Sequence, residues 1–144
     1  MNADTVTTAG EDETVAAGER LARTLHPGAV VLLYGQLGAG KTAFVRGLAR
    51  GLGAADDEVS SPTFTIVQEY HGTSLTLHHV DLYRLEPKEV DDLGLDDLMG
   101  PESIVAIEWA DRWAGRPVDA TEVEIEDLGE DGRTIRISRS GAPA

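Results

Sequence analysis

The chain predicts an α/β fold built around a mixed parallel and antiparallel sheet, and three observations carry that prediction. An unbroken apolar run, Ala29-Val30-Val31-Leu32-Leu33-Tyr34, leads directly into a glycine-rich stretch, Gly35 to Thr42, and then into an amphipathic run, Ala43 to Arg50. Two segments, 64–82 and 122–138, read as hairpins, each broken by a short polar turn. A further short apolar segment, Ile104-Val105-Ala106-Ile107, stands alone between polar stretches, as a buried strand does. Parallel strands flanked by helices, with antiparallel hairpins added, imply a three-layer sandwich. The strand, glycine loop, helix order makes it P-loop NTPase-like.

Taken in order, residues 1–12 are polar and acidic and are expected to fray. Thr14 to His26 reads as a first helix, with Val15, Ala22 and Leu25 at helical spacing and Glu19, Arg20 and Arg23 opposite them. Pro27-Gly28 ends it. In the helix after the glycine loop, Phe44, Val45, Leu48 and Leu52 form the expected buried stripe. Arg46 and Arg50 are expected to face water, and Gly53 closes the helix. Phe64 to Tyr70 has strand composition. His71-Gly72-Thr73-Ser74 turns the chain, and Leu75 to Leu82 returns as the antiparallel partner. Pro87 to Leu93 reads as a short helix with proline in its first turn. Glu122 to Ser138 forms the last hairpin about Asp131-Gly132. There is no internal repeat and no linker, so residues 1–144 are expected to be a single domain, with 140–144 a loose tail.

The chemistry concentrates at Gly35-Gln36-Leu37-Gly38-Ala39-Gly40-Lys41-Thr42. This is the phosphate-loop pattern, two glycines bracketing four residues and then Lys and Thr. Glycines let the backbone approach a ligand closely, so that successive N–H groups form a nest for anionic oxygens. The next helix adds its positive N-terminal end. Lys41 would neutralise β- and γ-phosphate charge, and the Thr42 hydroxyl would ligate Mg²⁺. Two acids follow strand-like runs, Asp81 and Glu108, at the strand ends where α/β sheets place their ligands. One could hold the metal through water while the other orients an attacking water. Ser61-Pro62-Thr63 resembles a switch segment that senses the γ-phosphate. Arg84 could reach a phosphate or pair with an acid, and Trp109 could be core or stack on a base or partner. Trp113 reads as packing. Adjacent His78 and His79 point to opposite sheet faces, which argues against a shared metal and favours packing for at least one.

Composition narrows the reading. A net charge of −14, from 26 acidic and 12 basic residues, weighs against independent nucleic-acid binding, which rests on cationic contacts. With no cysteine there are no disulfides or thiolate metal sites. No apolar run reaches membrane-span length, and residues 1–5 lack a signal-peptide pattern; the expected location is the cytoplasm. Guanine-reading Asn-Lys-x-Asp is absent, since Asn2 is the sole Asn and Lys41 and Lys88 the sole lysines. That favours ATP over GTP.

The glycine loop, Ser61-Pro62-Thr63-Phe64, His79-Val80-Asp81-Leu82-Tyr83-Arg84-Leu85 and Ile107-Glu108-Trp109 occur in this order over nearly the whole chain. Together they resemble the TsaE family of ATPases in tRNA threonylcarbamoyladenosine biosynthesis. The resemblance implies ATP binding and slow hydrolysis with Mg²⁺. It implies Thr42 and Glu108 at the metal, Lys41 on the phosphates, Asp81 as an acid required for activity and Trp109 as its aromatic neighbour. By position, Thr14 and Arg133 would border the adenine. It also implies a TsaB–TsaD partner complex that holds the tRNA and is reset by ATP hydrolysis. A free-standing small-molecule kinase and a nucleotide-gated binding module are the other classes open to a phosphate loop with two strand-end acids.

Overall fold

A computed structural model describes residues 2–35, 40–54, 67–83, 85–98, 100–117 and 119–139. Seven strands form one sheet: β1 (Asn2–Thr8), β2 (Val30–Tyr34), β3 (Val67–His71), β4 (Thr76–Asp81), β5 (Ser103–Glu108), β6 (Thr121–Gly129) and β7 (Gly132–Arg139), in the order β1-β7-β6-β2-β5-β4-β3. The four central strands are parallel, β6 and β5 flanking β2 and β4 beside β5. The hairpins β3–β4 and β6–β7 are antiparallel, and β1 closes one edge antiparallel to β7. The mixed sheet expected from the sequence is therefore present.

Strand burial follows the parallel core. In β2, Val31 and Leu33 face one side and Val30 and Leu32 the other, and all four are buried. The first side is covered by α1 (Glu11–Ala22) and α2 (Lys41–Gly51), packed on Leu77, Ile104, Ala106 and Val123. The opposite layer is thinner. It is made by α3 (Pro87–Asp91), a 3₁₀ turn at Leu95–Leu98 and the segment around Trp113, over Val80, Val105 and Ile107. Trp113 is packing, as the sequence suggests.

Helices α1 and α2 touch through glycines. A Cβ at Gly18 would fall 3.1 Å from Gly47 Cα, and one at Gly47 would fall 2.9 Å from Glu19 N and 2.0 Å from the Val15 carbonyl oxygen. Backbone thus lies on backbone, and the N-terminal ends of the two helices are held close together.

Three expectations are corrected. Residues 1–12 do not fray as a unit: Asn2–Thr8 is β1, with Val6 opposite Ile135 and Thr8 opposite Arg133. Its backbone hydrogen bonds come from a strand some 130 residues away, which local polarity does not reveal. Helix α1 starts at Glu11 rather than Thr14, because Glu11, Asp12 and Glu13 suit the positive first turn. It ends at Ala22, where the Thr24 hydroxyl donates to the Leu21 carbonyl at 2.8 Å. Arg46 and Arg50 do not simply face water, since Arg46 pairs with Glu11 and Arg50 lies 3.6 Å from Glu19. The expected tail at 140–144 and strand start at 64–66 lie outside the described residues.

Candidate functional site

The carboxyl ends of β4 and β5 and the first turn of α2 meet at a cavity of about 370 Å³, which also reaches α1 and the β6–β7 turn. Lys41, Thr42, Asp81, Glu108, Thr14 and Arg133, all proposed from the sequence, line it together with Gly40. Gly35 follows the last residue of β2, with φ 149°. Gln36, Leu37, Gly38 and Ala39, and likewise Ser61, Thr63 and Arg84, lie outside the described residues.

Gly40 precedes α2 with φ 105°, a left-handed conformation that glycine adopts readily. Among the described residues no side chain caps this helix, and no acid sits in its first turn. The N–H groups that open α2 lack intrahelical partners, so they and the helix dipole favour an anion. Lys41 is the first helical residue and is only 4% exposed. Its Nζ donates to the Gly35 carbonyl at 2.7 Å and lies 3.9 Å from Glu108 Oε1. It also sits 4.4 Å from the centre of the Trp109 ring. Burial lowers its pKa, opposed by the charges of Glu108, Asp81 and Asp111. A buried cation of this kind is stabilised by added negative charge.

Asp81 and Glu108 are register partners at the ends of parallel β4 and β5. Each falls on the face covered by α1 and α2, two residues beyond buried neighbours on that face. Burial pushes the Asp81 carboxyl above its ordinary range, with Glu108 adding to the rise. The Tyr83 N–H, donating to Oδ1 at 3.0 Å, opposes the shift, as do His79 and Lys41. Glu108 is 5% exposed, and His79 Nε2 lies 2.5 Å from its Oε2. His78 points the other way, to Ser103 Oγ at 3.2 Å.

Trp109 takes a left-handed backbone with φ 58° and packs against Tyr83, ring centres 5.0 Å apart. It is a wall beside Lys41. On the opposite side, Thr14 is buried with its hydroxyl 3.0 Å from that of Thr8. Arg133 donates to Asp127 Oδ1 at 3.0 Å and to the Gly132 carbonyl at 2.8 Å.

Sequence reasoning missed four lining residues: Glu11, Ala43, Arg46 and Asp131. Arg46 lies four residues after Thr42, about one helical turn, so it returns to the face that lines the cavity, and that spacing was the available signal. Glu11 was hidden by the expectation of a frayed terminus.

The donors suit a hard cation, which prefers oxygen ligands: the Thr42 hydroxyl and the carboxylates of Asp81 and Glu108 line one cavity. Among the described residues no group of three or more His, Cys, Asp or Glu side chains forms a metal cage.

Fold and site define a P-loop NTPase-like α/β protein. A family model described as threonylcarbamoyl adenosine biosynthesis protein TsaE matches residues 8–135. The tRNA threonylcarbamoyladenosine biosynthesis protein TsaE of Bacillus subtilis (strain 168) is 40% identical over 135 residues, covering 93% of this chain and 84% of the relative. That of Nostoc sp. (strain PCC 7120) is 47% identical over 134 residues, covering 90% and 82%. The crystal structure of Bacillus subtilis YdiB superposes with a TM-score of 0.76 at 32% identity, covering 97% of this chain and 87% of that one. The chain belongs to the TsaE family, whose members serve tRNA threonylcarbamoyladenosine biosynthesis.

Proposed function

We propose that this protein binds ATP with Mg²⁺ in the cavity at the head of α2 and hydrolyses it slowly. Hydrolysis acts on the TsaB–TsaD complex in the cytoplasm, so that the tRNA is modified by the partners. The observation that carries the reading is a buried lysine at an uncapped helix N-terminus, facing two strand-end carboxylates.

The residues divide the work. Lys41 Nζ exchanges its Gly35 carbonyl for phosphate oxygens and holds the triphosphate in register, where developing charge is stabilised by preorganised donors. The opening N–H groups of α2 add to this. The Thr42 hydroxyl and Glu108 would hold Mg²⁺, which when bound neutralises charge on the phosphoryl oxygens. Asp81, its carboxyl raised by burial, is suited to orient the attacking water and take its proton. Thr14 and Arg133 border the far end of the cavity, where the base would lie. Trp109 shields Lys41 from solvent.

The net charge of −14 supports leaving tRNA contacts to the partners. Among the described residues, no helix is long and apolar enough to cross a membrane.

The test is a reconstituted reaction with TsaB, TsaD, threonylcarbamoyl donor and tRNA. With this protein and ATP, modification should proceed for many turnovers and ATP hydrolysis should rise on adding the partner complex. Undiminished turnover without the protein, or without hydrolysable ATP, would overturn the proposal.

A further inference from the structure

We infer that His79 is a positioning residue that keeps Glu108 and Lys41 apart, so that both remain available to the cavity. The inference rests on the hydrolytic reading above and extends it to a side chain that does not line the cavity.

His79 is fully buried on β4, on the same sheet face as Glu108. The two oxygens of Glu108 are used differently. Oε2 is bound to His79 Nε2, whereas Oε1 points toward Lys41 Nζ at 3.9 Å. Opposite charges this close in a buried setting attract strongly. Closing the gap to a direct hydrogen bond would consume the phosphate-binding cation and the metal-binding carboxylate together. Two restraints oppose closure. The Gly35 carbonyl holds Nζ at 2.7 Å, and the imidazole holds Oε2 from the interior side.

The two ring nitrogens of His79 have different surroundings. His79 Nδ1 is buried with no hydrogen-bond partner among the described residues. A proton there would be a buried donor without an acceptor, which is costlier than a bare lone pair in the same place. Nε2, which faces a carboxylate oxygen that can only accept, is therefore the nitrogen that donates, to Glu108 Oε2. Histidines and carboxylates so paired behind a metal site fix ligand orientation. His78 cannot substitute, because it lies on the opposite face against Ser103.

The test compares His79→Leu, which removes the donor at similar bulk, with His79→Gln, whose amide reaches close to the Nε2 position. Binding of ADP is titrated with and without Mg²⁺, which needs no turnover. In His79→Leu the gain in ADP affinity on adding Mg²⁺ should fall about tenfold, and the Mg²⁺ concentration for half-maximal hydrolysis should rise about as much. His79→Gln should recover most of both. Nitrogen NMR of the wild-type protein, labelled in its four histidines, should show His79 carrying a proton on Nε2 that is hydrogen-bonded. A folded His79→Leu with wild-type Mg²⁺ response, a folded His79→Gln no better than Leu, or a spectrum with Nε2 unprotonated would each overturn the inference. If neither variant folds, the wild-type spectrum decides. A wild-type protein that hydrolyses no ATP with its partners defeats the hydrolytic reading instead, and leaves the ADP titration and the spectrum to judge His79.

Discussion

Replacing Gly47 by alanine tests whether backbone contact between α1 and α2 sets the site. In an isolated helix the change would stabilise by roughly 1 kcal/mol, since glycine is the weaker helix former. Here the new Cβ would sit 2.0 Å from the Val15 carbonyl oxygen and 2.9 Å from Glu19 N. Ordinary contact needs about 3.5 Å, and the opposing atoms are backbone that cannot rotate away. The helices must separate by about 1 Å or more, which loosens Val15, Leu21, Phe44, Val45 and Leu48, all now buried. Overpacking of this kind costs about 1–3 kcal/mol, and a backbone obstacle places it at the upper end. The net loss is about 2 kcal/mol after the helix-propensity gain, or roughly 8 °C in Tm at about 4 °C per kcal/mol for a chain of this size. Nucleotide affinity should fall too, since α1 carries Thr14 and α2 carries Lys41 and Thr42. Thermal and urea melts would measure the stability, with Gly100→Ala as control because the nearest atom to its Cβ is 3.9 Å away. A Gly47→Ala melt at or above the wild-type midpoint would refute the reasoning.

Three further outcomes are expected. Lys41→Ala should weaken ATP binding by about 100-fold or more in calorimetry without lowering the melting midpoint, because burial already disfavours the charged ammonium; unchanged affinity would refute its role. The raised pKa of Asp81 means that folding favours its protonated form. Its contribution to stability is full below the ordinary value of 3.8 and is lost as pH rises through the raised one. Asp81→Asn should therefore melt higher than wild type at pH 7 in the ligand-free protein, with the advantage vanishing toward pH 4, while hydrolysis falls about 10²–10⁴-fold. A lower midpoint at pH 7 would contradict this. Glu11→Gln removes an exposed partner of Arg46. It should shift stability by less than about 1 kcal/mol and, by removing a negative charge from the cavity lining, tighten nucleotide binding in low salt, as titrations at two salt concentrations would show; equal or weaker binding would argue against the nucleotide lying in this cavity.

What the sequence disclosed depended on how local the cause was. Gly40, Lys41 and Thr42 carry their chemistry in adjacent residues, and the strand before the loop is apolar throughout, so strand and helix were both legible. The β3–β4 hairpin was legible because Gly72 marks its turn. Asp81 and Glu108 were legible as strand-end acids, though their direct pairing in register follows only from β4 lying beside β5. Strand β1 was not legible, because Thr and Asp in an edge strand look like a solvated tail until β7 arrives. The contact of Gly18 with Gly47 joins two helices about thirty residues apart, and each glycine alone suggests only a weak helix. His79 was read from its neighbour and its strand face, which could not show that its ring meets Glu108.

The strand order has a consequence for how the molecule is made. Strand β2, which launches the glycine loop, is centred in the sheet, yet its two neighbours are β5 and β6, beginning at residues 103 and 121. As the ribosome delivers the chain, Val31, Leu32 and Leu33 emerge long before anything can flank them. Until then this stretch is an unpaired apolar β segment of the kind that recruits chaperones or self-associates. The end of β2 and the first turn of α2, though encoded early, are among the last parts to gain their surroundings. Closing such distant pairings makes folding slow, and a chain truncated before β6 would present a complete loop sequence on a strand with one side bare.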